Sequence, residues 1–515
     1  MAKCLELQFV YVTMVLGDFF KANRIDIYLN HRRRSIIKEF CLSTSTHGLP
    51  GVARAYSWKN FFFWLVSFLC FTGIMIYFIV KLILAYFQYP TQTNVGLLLQ
   101  WPQYFPAYTV CNACPYRSDL LINDLINYTN SKGYTDTNDT NTITSIQASH
   151  IQEFIIDIIN SNASIDNYGF SLSDMLIKCI YNNIPCSASD FIQFSSPNYG
   201  MCYTFNAKAV NQSAVRYTSY NGERGVLDLE FYIHENVYVP YIVEGTGLVS
   251  MLHDNVQVPQ IEIEGKALEP GRKHLLTYTK RQVTFLPAPY TSCTQAISPQ
   301  MEAVFASYNG AEYEYSQQLC YTLCLQAFTY AVCGCASPLF WNVRSVVLPG
   351  TNNLITAPLC SPNDICYSQA SITITSNETL INQYCSLCST ECFQRIFIAV
   401  PSAFKSPRMW VKNRIRQFVE ERSNISVTSR PIALPADWST KWSDYIDNNY
   451  VAVQVVRGSF TVDFYAQSAT LSWVDLLSNV GGQTGLWIGM SFLSLFELLE
   501  TFYRLIRRQF HNQNS

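Results

Sequence analysis

Hydrophobic positions gather in two long runs, and polar positions interrupt only the second. Phe61 to Val80 (FFFWLVSFLCFTGIMIYFIV) carries no charge. About 20 apolar residues at roughly 1.5 Å each cross a bilayer as a helix, so a transmembrane helix is predicted here. A cleaved signal peptide does not fit, because roughly 60 residues precede the run and its apolar core is too long. Lys81 to Gln88 prolongs the helix until Tyr89-Pro90 ends it, since proline lacks a donor and restricts its predecessor. The second run, Leu471 to Phe502, is equally long but contains Asp475, Asn479, Gln483, Glu497 and Glu500, which need a wet or protein-lined face. Gly481, Gly482, Gly485 and Gly489 recur there at helical spacing and strip one side of bulk. Glycine spacing alone fits a helix that packs through small residues. Polar groups above and below Gly489, Met490 and Ser491 favour a pore-lining segment, whose carbonyls and hydroxyls replace part of a cation's hydration shell.

Between the runs the period shortens to two. Tyr104 to Asn112, Asn198 to Asn206, Gly225 to Glu264, Val283 to Tyr290 and Phe460 to Ser468 read as strands, the last feeding the second run directly. No βαβ rhythm separates them, which predicts a mainly antiparallel sheet. Asn, Asp, Ser and Thr dominate 127 to 150, and an apolar helical period follows over His150 to Asn160, as in a variable outer lobe with short helices. Ahead of the first run, Gly17 to Asn30 mixes charge with aromatics and is read as partly helical. Phe40 to Gly51 leads through small polar residues into His47-Gly48 and Pro50-Gly51. A re-entrant backbone loop so close to a span is tolerated only where it lines water.

Composition narrows the class. Charged residues make up 14% of the chain, below the roughly 25% of soluble domains, and aromatics also reach 14%, which suits a membrane protein with a large folded exterior. The net charge of -2 gives no reason to expect nucleic acid. Lys21, Arg24, Arg32, Arg33, Arg34, Lys38, Arg54 and Lys59 precede the first span and Arg504, Arg507 and Arg508 follow the second, so both termini are expected in the cytoplasm. All six glycosylation sequons, at Asn127, Asn138, Asn162, Asn211, Asn377 and Asn424, fall between the spans. So do 15 of the 18 cysteines, all but Cys4, Cys41 and Cys70. Cys320-x3-Cys324 puts two sulfurs on one helical face and Cys333-x-Cys335 puts two at a bend. Cys385-x2-Cys388 resembles a zinc half-site but lacks a partner knuckle and histidines, so stapled helices fit better than a metal.

These motifs together resemble the degenerin/epithelial sodium channel superfamily, which includes acid-sensing and neuropeptide-gated (FMRFamide-type) channels. The resemblance rests on Thr46-His47-Gly48, on Phe105 to Asn112, on Gly200 to Asn206, on the cysteine block, and on Gly482 to Ser491 with Glu497 following. It implies an α+β membrane protein: two transmembrane helices flanking a large disulfide-rich extracellular domain, with a β-sheet palm and a helical thumb, assembled as a homo- or heterotrimer. The expected boundaries are a cytoplasmic segment at 1–57, the first span at 58–88, the extracellular domain at 89–466, the second, pore-lining span at 467–503 and a short tail at 504–515. Within the extracellular domain the finger takes about 113–200 and the thumb about 293–392.

Carried over by position, the resemblance makes Gly489, Met490 and Ser491 the selectivity filter for permeant Na+, with Met490 larger than the small residue many relatives hold there. It gives gating roles to His47, Gly48, Ser478, Asn479 and the aromatic pair Tyr89 and Tyr290, and makes Glu497 and Glu500 lower-pore acids. Glu500 is equally placed to pair with Arg504 at i+4. The implied disulfides are Cys111–Cys202, Cys179–Cys186, Cys293–Cys392, Cys320–Cys388, Cys324–Cys385, Cys333–Cys366 and Cys335–Cys360, with Cys114 left free or paired between chains. Tyr89-Pro90-Thr91 stands where acid-sensing members carry histidines, which disfavours proton gating. The expectation is an amiloride-sensitive, sodium-selective channel opened by an extracellular neuropeptide. Constitutive, mechanical or proton-modulated opening and a non-conducting accessory or receptor subunit are the alternatives. Asp124, Asp136, Asp139, Glu153 and Asp157 offer an acidic surface for a basic peptide but read more simply as solvated loop charges. No HExxH, GxSxG or phosphate-cradling loop points to an enzyme, and no cofactor or metal is expected.

Overall fold

A computed structural model describes residues 36–209, 215–218, 220, 222, 226–424 and 430–511. Asn211, Cys4, Gly17 to Asn30 and the basic residues Lys21, Arg24, Arg32, Arg33 and Arg34 lie outside them. The chain forms two compact units, one from Met1–Gln92 with Ala469–Ser515 and one from Thr93–Ser468. After a helix at 36–43, α1 (Leu49–Ala53) and α2 (Trp58–Tyr86) lead into β1 (Thr91–Leu99), β2 (Ala107–Asn112), α3 (Ser118–Ser131) and α4 (Ile151–Asn160). Strands β3 (Leu176–Tyr181), β4 (Ile184–Pro185), β5 (Phe191–Ser196), β6 (Gly200–Phe205), β7 (Val226–Tyr232), β8 (Leu248–His253), β9 (Lys266–Leu268) and β10 (Arg272–Thr284) follow. Next come α5 (Gln317–Cys333), α6 (Cys366–Thr375), α7 (Glu378–Tyr384), β11 (Phe393–Lys405), α8 (Met409–Arg422), α9 (Trp438–Asn449) and β12 (Tyr450–Ala469). Helices α10 (Trp473–Ile488) and α11 (Phe492–His511) close the chain.

In the first unit, the Ser57 side chain caps α2 by accepting from the Asn60 amide at 3.3 Å, and the helix runs 29 residues, about 43 Å. Met75 is its only buried residue, while Phe63, Val66, Tyr77 and Leu84 stand exposed. A helix apolar on every side suits lipid. The second run differs from the single helix expected over Leu471 to Phe502. It breaks at Gly489 to Ser491, and its halves α10 and α11 meet at 72°. The cause is local: Gly489 has φ +67°, the left-handed conformation that glycine takes without a Cβ penalty and that ends a helix.

In the larger unit, one sheet has the order β11–β10–β12–β7–β3–β4, with β1 also pairing β12, and a second has the order β9–β8–β2–β6–β5. Strands β11, β7 and β3 join their neighbours antiparallel, as expected without a βαβ rhythm, but β10 and β12 run parallel with an irregularity between Tyr278 and Lys280. The core lies between the sheets and helices, with Phe105, Tyr108, Leu229, Phe231, Tyr278 and Val453 buried at its centre. Three sequence boundaries shift. Strand β10 stops at Thr284, and Pro287 begins a turn in which the Tyr290 amide donates to its carbonyl at 3.1 Å. Strand β12 starts at Tyr450, where the β-branched run at 451–456 already alternates. The stretch from Gly225 to Glu264 divides into β7, β8 and a turn of helix at Ile261–Glu264.

Seven disulfides close in the pairs the resemblance implied: Cys111–Cys202, Cys179–Cys186, Cys293–Cys392, Cys320–Cys388, Cys324–Cys385, Cys333–Cys366 and Cys335–Cys360. Gly334, at φ +73°, ends α5 and turns Cys333 and Cys335 toward different partners. Cys114 is a buried free thiol that donates to the Tyr116 carbonyl at 3.3 Å, and burial pushes its pKa up to about 11.

Candidate functional site

Helix α10 sorts its residues by face. At 100° per residue, Asp475, Ser478, Gly482 and Gly485 fall on one stripe, and all four are exposed. Nothing lies within 4 Å of a Cβ built at Gly481, Gly482 or Gly485. The opposite side meets α2 through Trp487, whose ring stacks on Phe71 and Phe78 at 6.1 and 6.0 Å while its Nε1 donates to Gln483 at 2.8 Å. One side of the helix therefore packs, and the other offers polar groups and bare backbone. Asn479, adjacent to the stripe, is exposed as well. At the N-terminus of α10, Ser472 and Asp475 form a reciprocal capping box.

The segment at 44–48 closes on the break below α10. The His47 amide donates to the Ile488 carbonyl at 2.7 Å, and the His47 ring sits so near Gly489 that a Cβ there would stand 2.7 Å from it. Gly48 is held at φ +93° against Phe68. Thr44 Oγ1 donates to Glu497 Oε2 at 3.0 Å, and the Ser45 amide donates to the same oxygen at 3.2 Å. Ser45 Oγ lies 2.5 Å from Ser494 Oγ, which accepts from the Ser491 amide at 3.0 Å. The loop predicted around His47-Gly48 is thus hydrogen-bonded to the segment that holds Gly489, Met490 and Ser491. Thr44, Ser45 and Ser494 were missed in the sequence, although hydroxyl residues clustering at 43–46 and Ser494 at i+3 from Ser491 were a usable signal.

Other predicted residues sit elsewhere. Glu500 receives Arg504 Nη2 at 2.6 Å, the i+4 pairing that competed with a pore role. Tyr89 takes φ +49° after α2, with its ring 6.4 Å from those of Tyr86 and Phe87. The sequon residues Asn127, Asn138, Asn162, Asn377 and Asn424 are exposed, and Asn377 also caps α7. Four of the five carboxylates expected to offer a peptide surface have hydrogen-bond partners. Asp124 accepts from Tyr168 Oη, Asp157 from Tyr128 Oη and Lys132, Glu153 from Tyr134 Oη beside His150, and Asp139 from Thr142 and Asn141.

The family model described as amiloride-sensitive sodium channel matches residues 40–501. Acid-sensing ion channel 1A of Danio rerio is 24% identical over 492 residues, covering 90% of this chain and 87% of the relative. The degenerin-like protein asic-2 of Caenorhabditis elegans is 24% identical over 491 residues, covering 90% and 85%. The gamma subunit of the Rattus norvegicus epithelial sodium channel is 27% identical over 354 residues, covering 67% of this chain and 49% of that one. With a break at Gly489 to Ser491 capped by the His47 loop, and a family match spanning nearly all of the described residues, the chain belongs to the amiloride-sensitive sodium channel family, a family of membrane ion channels within the degenerin/epithelial sodium channel superfamily.

Proposed function

We propose that the chain is one subunit of a trimeric, sodium-selective, amiloride-sensitive channel in the plasma membrane, with both termini cytoplasmic and the disulfide-bearing unit outside. The observation that carries this reading is the exposed stripe of Asp475, Ser478, Gly482 and Gly485 on a helix whose other side is packed. One helix cannot enclose water, so related copies must each supply such a stripe around a shared axis. Na+ then descends past Asn479 and Ser478 to the carbonyls and hydroxyl of Gly489, Met490 and Ser491. His47 and Gly48 buttress the break, and Tyr89 and Tyr290 pass motion from the outer unit to the first span.

Opening is assigned to an extracellular peptide. The support is indirect: the histidines expected for proton gating are missing after the first span. Proton modulation is the second reading, favoured by His150, which stacks on Tyr134 at 3.8 Å and contacts Glu153 at 3.1 Å in the outer unit. Expression in oocytes with Ser478→Trp should give inward Na+ current blocked by amiloride. A panel of amidated peptides and pH steps on the unmodified chain then separates the stimuli. Surface protein that stays silent in both would favour an accessory subunit, and an unchanged agonist response in Tyr290→Ala would remove the coupling role.

A further inference from the structure

We infer that Glu497 is a positioning residue for the filter: its carboxylate clamps the 44–48 loop, and the loop in turn fixes the backbone at Gly489. The inference rests on the channel reading above and reassigns an acid that the family resemblance placed among ion-facing groups. Glu497 is only partly exposed, and one oxygen, Oε2, accepts from both Thr44 Oγ1 at 3.0 Å and the Ser45 amide at 3.2 Å. A side-chain oxygen that takes two donors from one loop restrains that loop's backbone, because parting them leaves both donors unpaired. Thr44 is itself buried, and its hydroxyl lies 3.3 Å from the Thr46 amide, so the clamp extends to the residue before His47. Ser494, also buried, ties Ser45 to Ser491 across the same junction. The His47 amide and ring then complete the path to Ile488 and Gly489. Glu500, one turn further on, makes no such contact and pairs with Arg504 and, through it, sits near Glu39.

The chemistry separates a clamp from a charge acting on passing ions. Glu497→Gln keeps an oxygen for both donors and removes the charge; Glu497→Ala removes both; Thr44→Val removes one donor and leaves the charge. Each is made in the Ser478→Trp background, with surface biotinylation and reversal potentials in Na+ and K+. The clamp requires that Glu497→Ala and Thr44→Val each lower the Na+/K+ permeability ratio at least threefold, that the double variant do no more than Glu497→Ala alone, and that Glu497→Gln stay within twofold of the parent. A Glu497→Gln effect as large as that of Ala, or an unaltered Thr44→Val, overturns the inference.

A second readout does not need current. In membranes carrying Ser45→Cys with Ser494→Cys, copper-phenanthroline oxidation should protect two thiols from a maleimide mass tag. Adding Glu497→Ala should reduce that protection severalfold while Glu497→Gln preserves it, and equal protection in all three rejects the clamp even if the channel is silent. Silence of the Ser478→Trp background at normal surface level counts against the channel reading instead.

Discussion

Two histidines show how single residues set the behaviour of the outer unit in acid. His253, at the end of β8, lies within 2.8 Å of Thr109 Oγ1 and 2.9 Å of the Asp254 carbonyl, both inside the core. His234, held at φ +57°, reaches the Asp174 carbonyl at 3.0 Å with the buried Arg117 nearby. Burial lowers both pKa values from 6.5 to about 4, so the folded chain keeps each ring neutral while the unfolded chain takes up protons below about 6.5. Their contribution to stability is therefore full above pH 6.5, drains as pH falls toward 4 and levels below it, by about 3 kcal/mol for each ring. The melting temperature of the detergent-solubilised protein should fall across that window, and His253→Gln should flatten the fall. A melting profile with the same slope in the variant would show that other groups govern the acid response. Neither ring was legible as buried from the sequence, because His253 ends a strand and His234 follows one, positions where a polar residue ordinarily turns to solvent.

At the scale of elements, two of the staples on α5 are nested, Cys320–Cys388 enclosing Cys324–Cys385. Cys324–Cys385 closes a loop of 61 residues and Cys320–Cys388 one of 68, yet with the outer bond intact the inner bond constrains only about eight residues. Loop entropy then assigns about 2.5 kcal/mol to losing the inner bond alone and roughly 7 kcal/mol to losing both. Thermal unfolding of Cys324→Ala/Cys385→Ala beside the fourfold variant measures this difference; equal losses in the two would refute the nested-loop account. The helical face carrying Cys320 and Cys324 could be read from spacing, whereas the partners came only with the family resemblance, since spacing cannot choose among so many pairings. The break in the last helix was half legible. A glycine beside Met490 and Ser491 marked the place, but nothing local announced that the His47 loop, more than 400 residues earlier, would bond across the 72° bend that the left-handed Gly489 makes. The parallel pairing of β10 with β12 was likewise hidden, because alternation specifies a strand's faces and not the direction of its neighbour.

At the scale of the whole molecule, the polar and glycine stripe of α10 stays uncovered by the rest of the described chain. The larger unit closes a core of its own, and α2 presents apolar side chains on nearly every side, as suits lipid. On the channel reading, helix α10 turns toward the water path a carboxylate held in the Ser472 capping box, a hydroxyl, an amide and bare glycine backbone. A lipid-facing stripe would strand these groups, and a protein-packed one would bring side chains against Gly482 and Gly485. On the channel reading proposed above, water meets both needs, solvating the polar groups and leaving the glycines uncovered. Cysteines placed at Ser478, Gly482 and Gly485 should therefore react with a small charged thiosulfonate applied from outside to an open channel and reduce its current. Cysteine at Val480, on the packed side, should stay inert. If all four positions are equally protected while the channel conducts, the conduction path runs elsewhere and the stripe is an interface between helices.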